Sequence, residues 1–358
     1  MWHFGRPMSQ TAVARQGEQL IAETKRRLAG TRPRAALRPV YHLGTLSWRR
    51  AIADQTELTR PSELQRRFDP KCFYRDANNR EQHSGKWSPI VRGERRPSPA
   101  ILKLVEDQLP GTTDAFEDPL VQFAHGNFTE HLLLRVLSYL AVKHLPVLGA
   151  PGAEAPYPAV REKLTKSHLD YLISQGTTEA LTLTTAYLVL ASFRRAEPGY
   201  VRFLAECTYR QLLAMSLELF RRGIAHDVFE AYRFRIFRNI NVGGKRPAVD
   251  PRVWSDEVAL FNVLPYAVFK GPATRDWATR QRQLARIALG QTRAELYDAF
   301  KLWWFPASDE PTTLEQQKEI CAVDIQRLTA RATIRDRVTP LFSKPTRWAD
   351  ASDANSPS

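Results

Sequence analysis

Apolar residues recur with helical spacing along most of the chain. In "NFTEHLLLRVLSYLAVKHL" one predicted stripe contains Phe128, Leu132, Val136, Leu140 and His144, and in "GYVRFLAECTYRQLLAMSLELF" a second contains Val201, Leu204, Leu212, Leu213 and Leu217. This spacing is typical of helices with one buried face. We find no convincing alternating strand pattern and no fixed-period repeat. The pattern therefore predicts an all-α fold.

A shorter set of elements precedes this region. In "RPSELQRRFDP", Ser62 and Gln65 have the spacing of a capping box, and Leu64 and Phe68 form one apolar face. The polar stretch "DANNREQHSG" is typical of a loop. In "RRPSPAILKLVEDQLPG", Ser98 is predicted to cap a helix whose apolar stripe is Ile101, Leu102, Val105 and Leu109.

These elements divide the chain into four predicted parts. They are a basic helical arm and linker at 1–40, a small helical domain at 41–112, a larger helical domain at 113–347 and a tail at 348–358. A length of 358 residues agrees with about two domains. The polar tail "DASDANSPS" is expected to be disordered. We predict that "NVGGKRPAVDP" is a loop and that "LWWF", Leu302 to Phe305, is core at a helix end.

Charge suggests an anionic partner. The formal net charge is +14, and 9 of these surplus charges lie between Leu20 and Pro110, where 19 basic residues face 10 acidic ones. A clustered surplus is the electrostatic footprint expected for nucleic acid, although a membrane surface or a merely solvated basic face also fits.

Composition excludes several other classes. Cys72, Cys207 and Cys321 lie far apart without zinc or disulfide spacing, which favours a reduced cytoplasm. The start "MWHFGRPMSQ" lacks a signal-peptide pattern, and the longest apolar stretch is shorter than the roughly 18 residues that span a bilayer. We expect a cytoplasmic protein with no membrane partner, no metal and no cofactor.

The small domain has the order of elements that a helix-turn-helix needs. Ser62 to Phe68 would be the positioning helix, Ser84 to Val91 the recognition helix and Ser98 to Leu109 the support. Two features depart from the pattern. The connection from Phe68 to Ser84 is long, and Pro89 falls inside the recognition helix. A helix starting at Ser84 would be kinked there, whereas one starting at Ser88 would be very short.

The stretch "KWSPIVRGERRPSPAILKLVEDQLPG" resembles the third and fourth helices of the Cro/phage-repressor type of helix-turn-helix domain. Trp87 and Ile90 match its apolar anchors, and Arg92-Gly93 matches the charged residue and glycine at the helix end. The chain is also similar to bacterial proteins that carry "W…G…P…PGT" ahead of a long helical region. The resemblance covers about 65 residues and implies binding of duplex DNA.

Charge and reach assign the contacts. Lys86 is the first candidate for a base or phosphate contact from the recognition helix. Arg92, Arg95 and Arg96 are predicted to hold phosphates, which position a protein without reading sequence. Trp87 is predicted to be core. The remaining candidates are Ser62, His83, Ser84 and Ser88.

Two other functions remain open. The chain also fits a helical interaction protein without DNA binding, whose basic face meets another protein or RNA. The larger domain, 113–347, is expected to supply a homodimer or protein-partner contact. Arg221 and His226 in "RRGIAH" have a spacing used by some all-helical ribonucleases, although Gly223 there is also a natural helix cap. "NVGGKRP" lacks the frame of a phosphate loop, and His125 and His131 are interpreted as ordinary histidines.

Overall fold

The structure is a computed structural model. It describes residues 41–75, 77–79, 81–83, 85–124, 128–141, 161–249, 251–269, 277–292, 294–306 and 329–334. The predicted arm at 1–40, the predicted tail at 348–358, Ser84, His125 and His144 lie outside these residues. The all-α prediction is confirmed, because helices dominate and strands occur as two short antiparallel pairs in the described part of the chain.

The first helices enclose a small core of their own. The elements are α1 (Tyr41–Thr56), α2 (Pro61–Phe68), β1 (Phe73–Arg75), β2 (Glu81–His83), α3 (Trp87–Val91), α4 (Pro99–Glu106) and α5 (Thr112–Phe116). Trp87 is fully buried, with its ring stacked 6.2 Å from that of Trp48 and 5.9 Å from that of Phe68. This aromatic stack joins α1, α2 and α3 into the small unit, residues 41–116.

Local signals within this unit are partly confirmed. The Ser98 side chain accepts a hydrogen bond from the backbone N–H of Ile101 at 3.4 Å, so the predicted cap of α4 is correct. The Ser62–Gln65 capping box is wrong. Arg60 is the N-cap of α2, Pro61 is its first residue, and the Glu63 carboxylate accepts from the Arg60 N–H at 3.3 Å. Proline moves the start forward because a helix needs no amide donor at its first position.

The predicted loop "DANNREQHSG" is only partly confirmed, because residues 77–79 form a turn whereas Glu81–His83 is strand β2. A turn of 3₁₀ helix at Pro70–Cys72 leads into β1, which pairs antiparallel with β2 so that Phe73 lies opposite His83. The pairing gives this polar segment backbone hydrogen bonds that its weak side-chain pattern does not indicate.

The larger unit follows from residue 119. Its helices are α6 (Pro119–Phe123), α7 (Glu130–Ala141), α8 (Lys166–Gln175), α9 (Thr178–Phe193), α10 (Pro198–Arg221), α11 (Ala225–Ala231), α12 (Pro251–Val268), α13 (Trp277–Ala288) and α14 (Ala294–Asp298). Helices α9 and α10 pack together at the centre, and α9 is buried on every side over most of its length. Its buried threonines remain compatible with the core because Thr182, Thr184 and Thr185 donate to carbonyls one turn earlier.

The two predicted apolar stripes have different outcomes. On α10 all five predicted residues are buried, which confirms that stripe. On α7 the buried face is Leu133, Leu137 and Leu140, whereas Leu132 is 40% exposed. The prediction is only partly confirmed for this helix. Leu140 is buried, and Phe128 and Val136 pack against the core, but Leu132 is exposed because packing against α9 selects a neighbouring stripe in the run of leucines.

The segments "GGKRPA" and "WWFP" form a second strand pair. Strand β3 (Lys245–Ala248) pairs antiparallel with β4 (Trp303–Pro306), so Ala248 lies opposite Trp303. The interpretation of Leu302 to Phe305 as a helix end was therefore wrong, and "NVGGKRPAVDP" is only partly a loop. The partner strand is 55 residues away, which local patterns do not reveal.

Asp118 lies between the two units and fixes the start of the larger one. One of its carboxylate oxygens accepts from the N–H of Leu120 at 2.9 Å and caps α6. The other accepts from the hydroxyl of Thr178 at 2.8 Å and from the guanidinium of Arg222 at 2.7 Å. Leu43 of α1 also packs into the large core. The small unit therefore contacts the larger one through Leu43 and through Asp54 of α1, whose carboxylate lies 3.4 Å from the Arg221 guanidinium.

Candidate nucleic-acid interface

The turn after α3 is closed by a complete set of helix-end hydrogen bonds. The N–H of Gly93 donates to the carbonyl of Ile90, and that of Glu94 donates to the carbonyl of Pro89, both at 2.8 Å. Gly93 has a φ of 74°, which a residue with a Cβ adopts only at a cost. This closure fixes the direction of the basic residues that follow. "Arg92-Gly93" is therefore a Schellman helix end.

Pro89 does not kink α3. The helix begins at Trp87, so Pro89 is its third residue, where a backbone N–H has no partner within the helix. The recognition helix is five residues long, about 7 Å, rather than the predicted Ser84 to Val91. Trp87, Ile90 and Val91 are buried, which confirms that Trp87 is a core residue. Ser88 and Pro89 are the partly exposed residues of the helix.

The first half of the predicted site is only partly available. The Lys86 ammonium lies 3.5 Å from the Asp69 carboxylate, and its side chain stays 41% exposed. His83 is the last residue of β2, and Ser62 is exposed at the second position of α2. These residues come from three different elements, and the structure does not line them up on one recognition helix.

Arg92 has an internal partner that sequence reasoning missed. Its guanidinium makes two hydrogen bonds of 2.8 Å to the Glu94 carboxylate, and a third of 2.6 Å to the hydroxyl of Ser88. The hydrogen bonds to Glu94 raise the pKa of Arg92 above its ordinary value. A carboxylate two residues away along an exposed turn was a readable signal for this pair. The ion pair with Glu94 reduces the positive charge that Arg92 presents to a phosphate.

Arg95 and Arg96 present charge on the same turn. Both are exposed, and the Arg96 guanidinium lies 5.1 Å from the centre of the Phe116 ring. Further exposed cations, which we did not select, are Arg66 and Arg67 in the last turn of α2 and Lys71 just after it. The Arg66 guanidinium lies 5.0 Å from the Phe73 ring centre. The basic residues of α2 were visible in the sequence as "QRRF".

The small unit contains less than half of the surplus positive charge of the basic segment, residues 20–110. Residues 41–110 contain thirteen basic and nine acidic residues, whereas residues 20–40 contain six basic residues and one acidic residue. More than half of the surplus in the basic segment therefore belongs to the arm.

Arg221 and His226 have structural partners. Two nitrogens of the Arg221 guanidinium donate hydrogen bonds to the Glu218 carboxylate, at 2.9 and 3.0 Å. The third donates to the Asp54 carboxylate at 3.4 Å. The His226 ring packs edge-on against Trp254 with centroids 5.4 Å apart. Gly223, with a φ of 72°, closes the end of α10. These contacts account for both residues as parts of the fold.

Comparison with known proteins adds no assignment, since no family model, curated protein or solved structure matches the chain. Within the described residues, no helix has the length and apolar character required to cross a bilayer. The same residues contain no group of three or more histidine, cysteine or acidic side chains arranged to hold a metal ion.

Proposed function

We propose that the protein binds duplex DNA through the small unit, residues 41–116. The observation that carries this proposal is the turn from Arg92 to Arg96. Three arginines occupy five residues there, and the helix-end closure and the buried Trp87 hold them in place. Exposed arginines on a rigid turn suit phosphate oxygens, because the guanidinium donates several hydrogen bonds in fixed directions.

The geometry favours contacts to the DNA backbone over base reading. A helix of five residues with three buried side chains offers little surface to the major groove. Arg95 and Arg96 are therefore assigned to phosphates, and Lys86 and Ser88 are secondary contacts at the same end of the unit. Phosphate contacts position a protein and give binding that is weakly dependent on sequence.

In this proposal the Glu94 carboxylate competes with DNA phosphates for the guanidinium of Arg92. It holds Arg92 in a two-pronged pair, and its own charge repels an approaching phosphate. Replacement of Glu94 by glutamine removes this charge while it keeps the size of the side chain. The variant should bind duplex DNA more tightly than the wild-type protein, because Arg92 then becomes a further phosphate contact.

The test is fluorescence anisotropy with a labelled duplex of mixed sequence, over a range of salt concentrations. The Kd should rise steeply with salt, and Arg95→Ala with Arg96→Ala should reduce the slope of log K against log salt by about two. The matched control is Lys166→Ala with Arg195→Ala, which removes two exposed cations from the large unit. Duplex binding that is absent at low salt, or equally weakened by the control pair, contradicts the proposal.

A second candidate is the helical interaction module, and exposed apolar residues on α7 favour it. Leu132 is 40% and Tyr139 70% exposed on one side of this helix. Large apolar side chains left open together are typical of contact surfaces. Sedimentation of the full chain tests this function. A dimer that dissociates in Leu132→Ser with Tyr139→Ser would favour it, and a monomer at all concentrations would leave α7 without a self-contact.

A further inference from the structure

The segment from Ala231 to Val249 of the large unit is the most one-sidedly charged part of the described chain. It reads "AYRFRIFRNINVGGKRPAV" and contains five basic residues and no acidic residue. The small unit, by comparison, interleaves its basic residues with nearly as many carboxylates. Glu230 immediately precedes the segment, and its carboxylate lies 3.5 Å from the Arg233 guanidinium, so the basic residues that follow Arg233 supply most of the local surplus of positive charge.

The backbone of this segment turns Phe234 and Arg238 outward. After α11 the chain makes a single π turn, Tyr232–Ile236, and then a 3₁₀ turn, Phe237–Asn239. Tyr232, Ile236 and Phe237 are buried and anchor both turns in the core. Phe234 and Arg238 are left exposed, and π turns of this kind occur often at functional sites.

The chain then returns beside these turns as a hairpin. Gly243 and Gly244 have φ values of 59° and 73°, and Val242 and Lys245 exchange backbone hydrogen bonds of 2.8 and 3.1 Å around them. Two positive φ angles are the signature of a type I′ turn, which suits a hairpin. Strand β3 packs beside the 3₁₀ turn Phe237–Asn239, so the strand is a neighbour of the turn that carries the exposed Arg238.

Aromatic rings accompany the cations on this surface. Phe234 is 38% exposed, and the Arg233 guanidinium lies 4.5 Å from the centre of its ring. Arg246 lies directly opposite Phe305 in the β3–β4 register, so these two side chains share one face of the strand pair. Both of them are partly exposed. We name Arg233, Phe234, Arg238, Arg246 and Phe305 the basic–aromatic surface.

We propose that the basic–aromatic surface binds single-stranded nucleic acid. Its cations would hold consecutive phosphates, and the exposed face of Phe234 would stack on a base. Stacking on an exposed ring requires an unpaired base, which single strands offer and a closed duplex does not. A membrane surface fits less well, because Phe234 is the one large apolar side chain of this segment that is classed as exposed. The inference does not rest on the proposed duplex binding, since it uses other residues.

The experiment measures the anisotropy of labelled oligothymidylate and oligouridylate, each about 20 nucleotides long, with the full-length protein over a salt series. Arg238→Ala with Arg246→Ala should raise the Kd and reduce the salt slope by about 1.4, because each single-strand phosphate contact contributes about 0.7. Arg238→Lys with Arg246→Lys should keep most of the slope. The two oligonucleotides show whether the surface prefers DNA or RNA.

Phe234→Leu separates stacking from charge. It should raise the Kd by about tenfold and leave the salt slope unchanged, since a stacked base adds affinity without releasing counterions. The matched control is Phe193→Leu, which alters another exposed phenylalanine, at the end of α9 and 52% exposed. Circular dichroism and Tm should be the same for both variants.

Several outcomes overturn the inference. They are absence of oligonucleotide binding at about 50 mM salt, equal loss in Phe234→Leu and Phe193→Leu, and a Kd unchanged by Arg238→Ala with Arg246→Ala. If Arg238→Ala with Arg246→Ala weakens binding to phosphatidylserine vesicles but not to the oligonucleotides, the surface is a membrane contact instead. The duplex proposal fails separately, through Arg95→Ala with Arg96→Ala, so the two failures are distinguishable.

Discussion

The end of α9 allows a prediction in which a single substitution stabilises the protein. Arg195 follows this helix with a φ of 50°, in the left-handed region. Its N–H donates to the carbonyl of Ser192 at 3.1 Å, and the N–H of Ala196 donates to that of Ala191 at 2.9 Å. These two bonds form the helix end that usually carries glycine at the position of Arg195. We therefore predict that Arg195→Gly increases stability.

The magnitude follows from two opposing effects. A residue with a Cβ in the left-handed region costs roughly 1–2 kcal/mol, which glycine avoids. Glycine in turn loses more backbone entropy on folding, about 0.4–1 kcal/mol. The Arg195 side chain is exposed and makes no polar contact within the described part of the chain, so its removal costs little else. The net stabilisation should be about 0.5–1 kcal/mol.

Gly223 provides the matched control at the end of α10. Its φ is 72°, its N–H donates to the carbonyl of Phe220, and that of Ile224 donates to Leu219, the same pattern as at Arg195. A Cβ at this glycine would meet no heavy atom within 4 Å, so Gly223→Ala introduces backbone strain without a clash. It should destabilise the protein by about 1 kcal/mol, the opposite sign to Arg195→Gly.

The assay is thermal and urea unfolding of both variants beside the wild-type protein, followed by far-UV circular dichroism. Arg195→Gly should raise the Tm by about 1–2 °C, and Gly223→Ala should lower it by a similar amount. The comparison of Tm values at one protein concentration avoids reliance on a single transition in a chain with two cores. A lower Tm for Arg195→Gly would refute the reasoning, because the entropy cost of glycine would then exceed the backbone strain that it relieves.

Three further results follow from buried contacts. Trp87→Ala should destabilise the small unit by about 3–5 kcal/mol, seen as an early unfolding transition, and an unchanged profile would contradict the aromatic stack. Asp118→Ala should cost about 3 kcal/mol or more in urea unfolding, since it uncaps α6 and leaves Arg222 buried without this partner, whereas a loss under 1 kcal/mol would exclude a role in anchoring α6. Burial acts to raise the pKa of Glu218, but hydrogen bonds and charges from Arg221 and Arg222 outweigh it and lower the pKa. A lowered pKa stabilises the fold above the ordinary value near 4.3, and the contribution is lost as pH falls through the folded value. Glu218→Gln should therefore be less stable than wild type at neutral pH and nearly equal to it in acid, and a gap that persists in acid would contradict the pairing.

Local patterns predicted the helices well because their information lies within a few residues. The stripe of α10, the Ser98 cap and the burial of Trp87 all follow from neighbours in sequence. The α7 stripe was wrong at Leu132 because several leucines compete for one buried face, and only the neighbouring helix decides between them. The Ser62 cap failed because Pro61 provides a stronger helix start one residue earlier.

The candidate site was harder to predict than the fold. Lys86 faces Asp69, which is 17 residues earlier, and Arg92 faces Glu94 across a turn whose shape the sequence only suggests. The net charge of a segment includes these cations in full, although an ion pair reduces the positive charge that each presents to a phosphate. The basic–aromatic surface escaped notice for the opposite reason, since its cations are modest in number and only the hairpin brings them together.

By itself, the sequence determined the all-α fold class of this protein, the positions of most helices and the excess of positive charge. Those properties come from periodicity, caps and composition, which act within one or two turns of chain. The tertiary structure decided which faces are buried, which arginines are already paired, and that β3 meets β4 from 55 residues away. The reason is physical: burial, ion pairing and strand pairing depend on distances in space, which the order of residues does not contain.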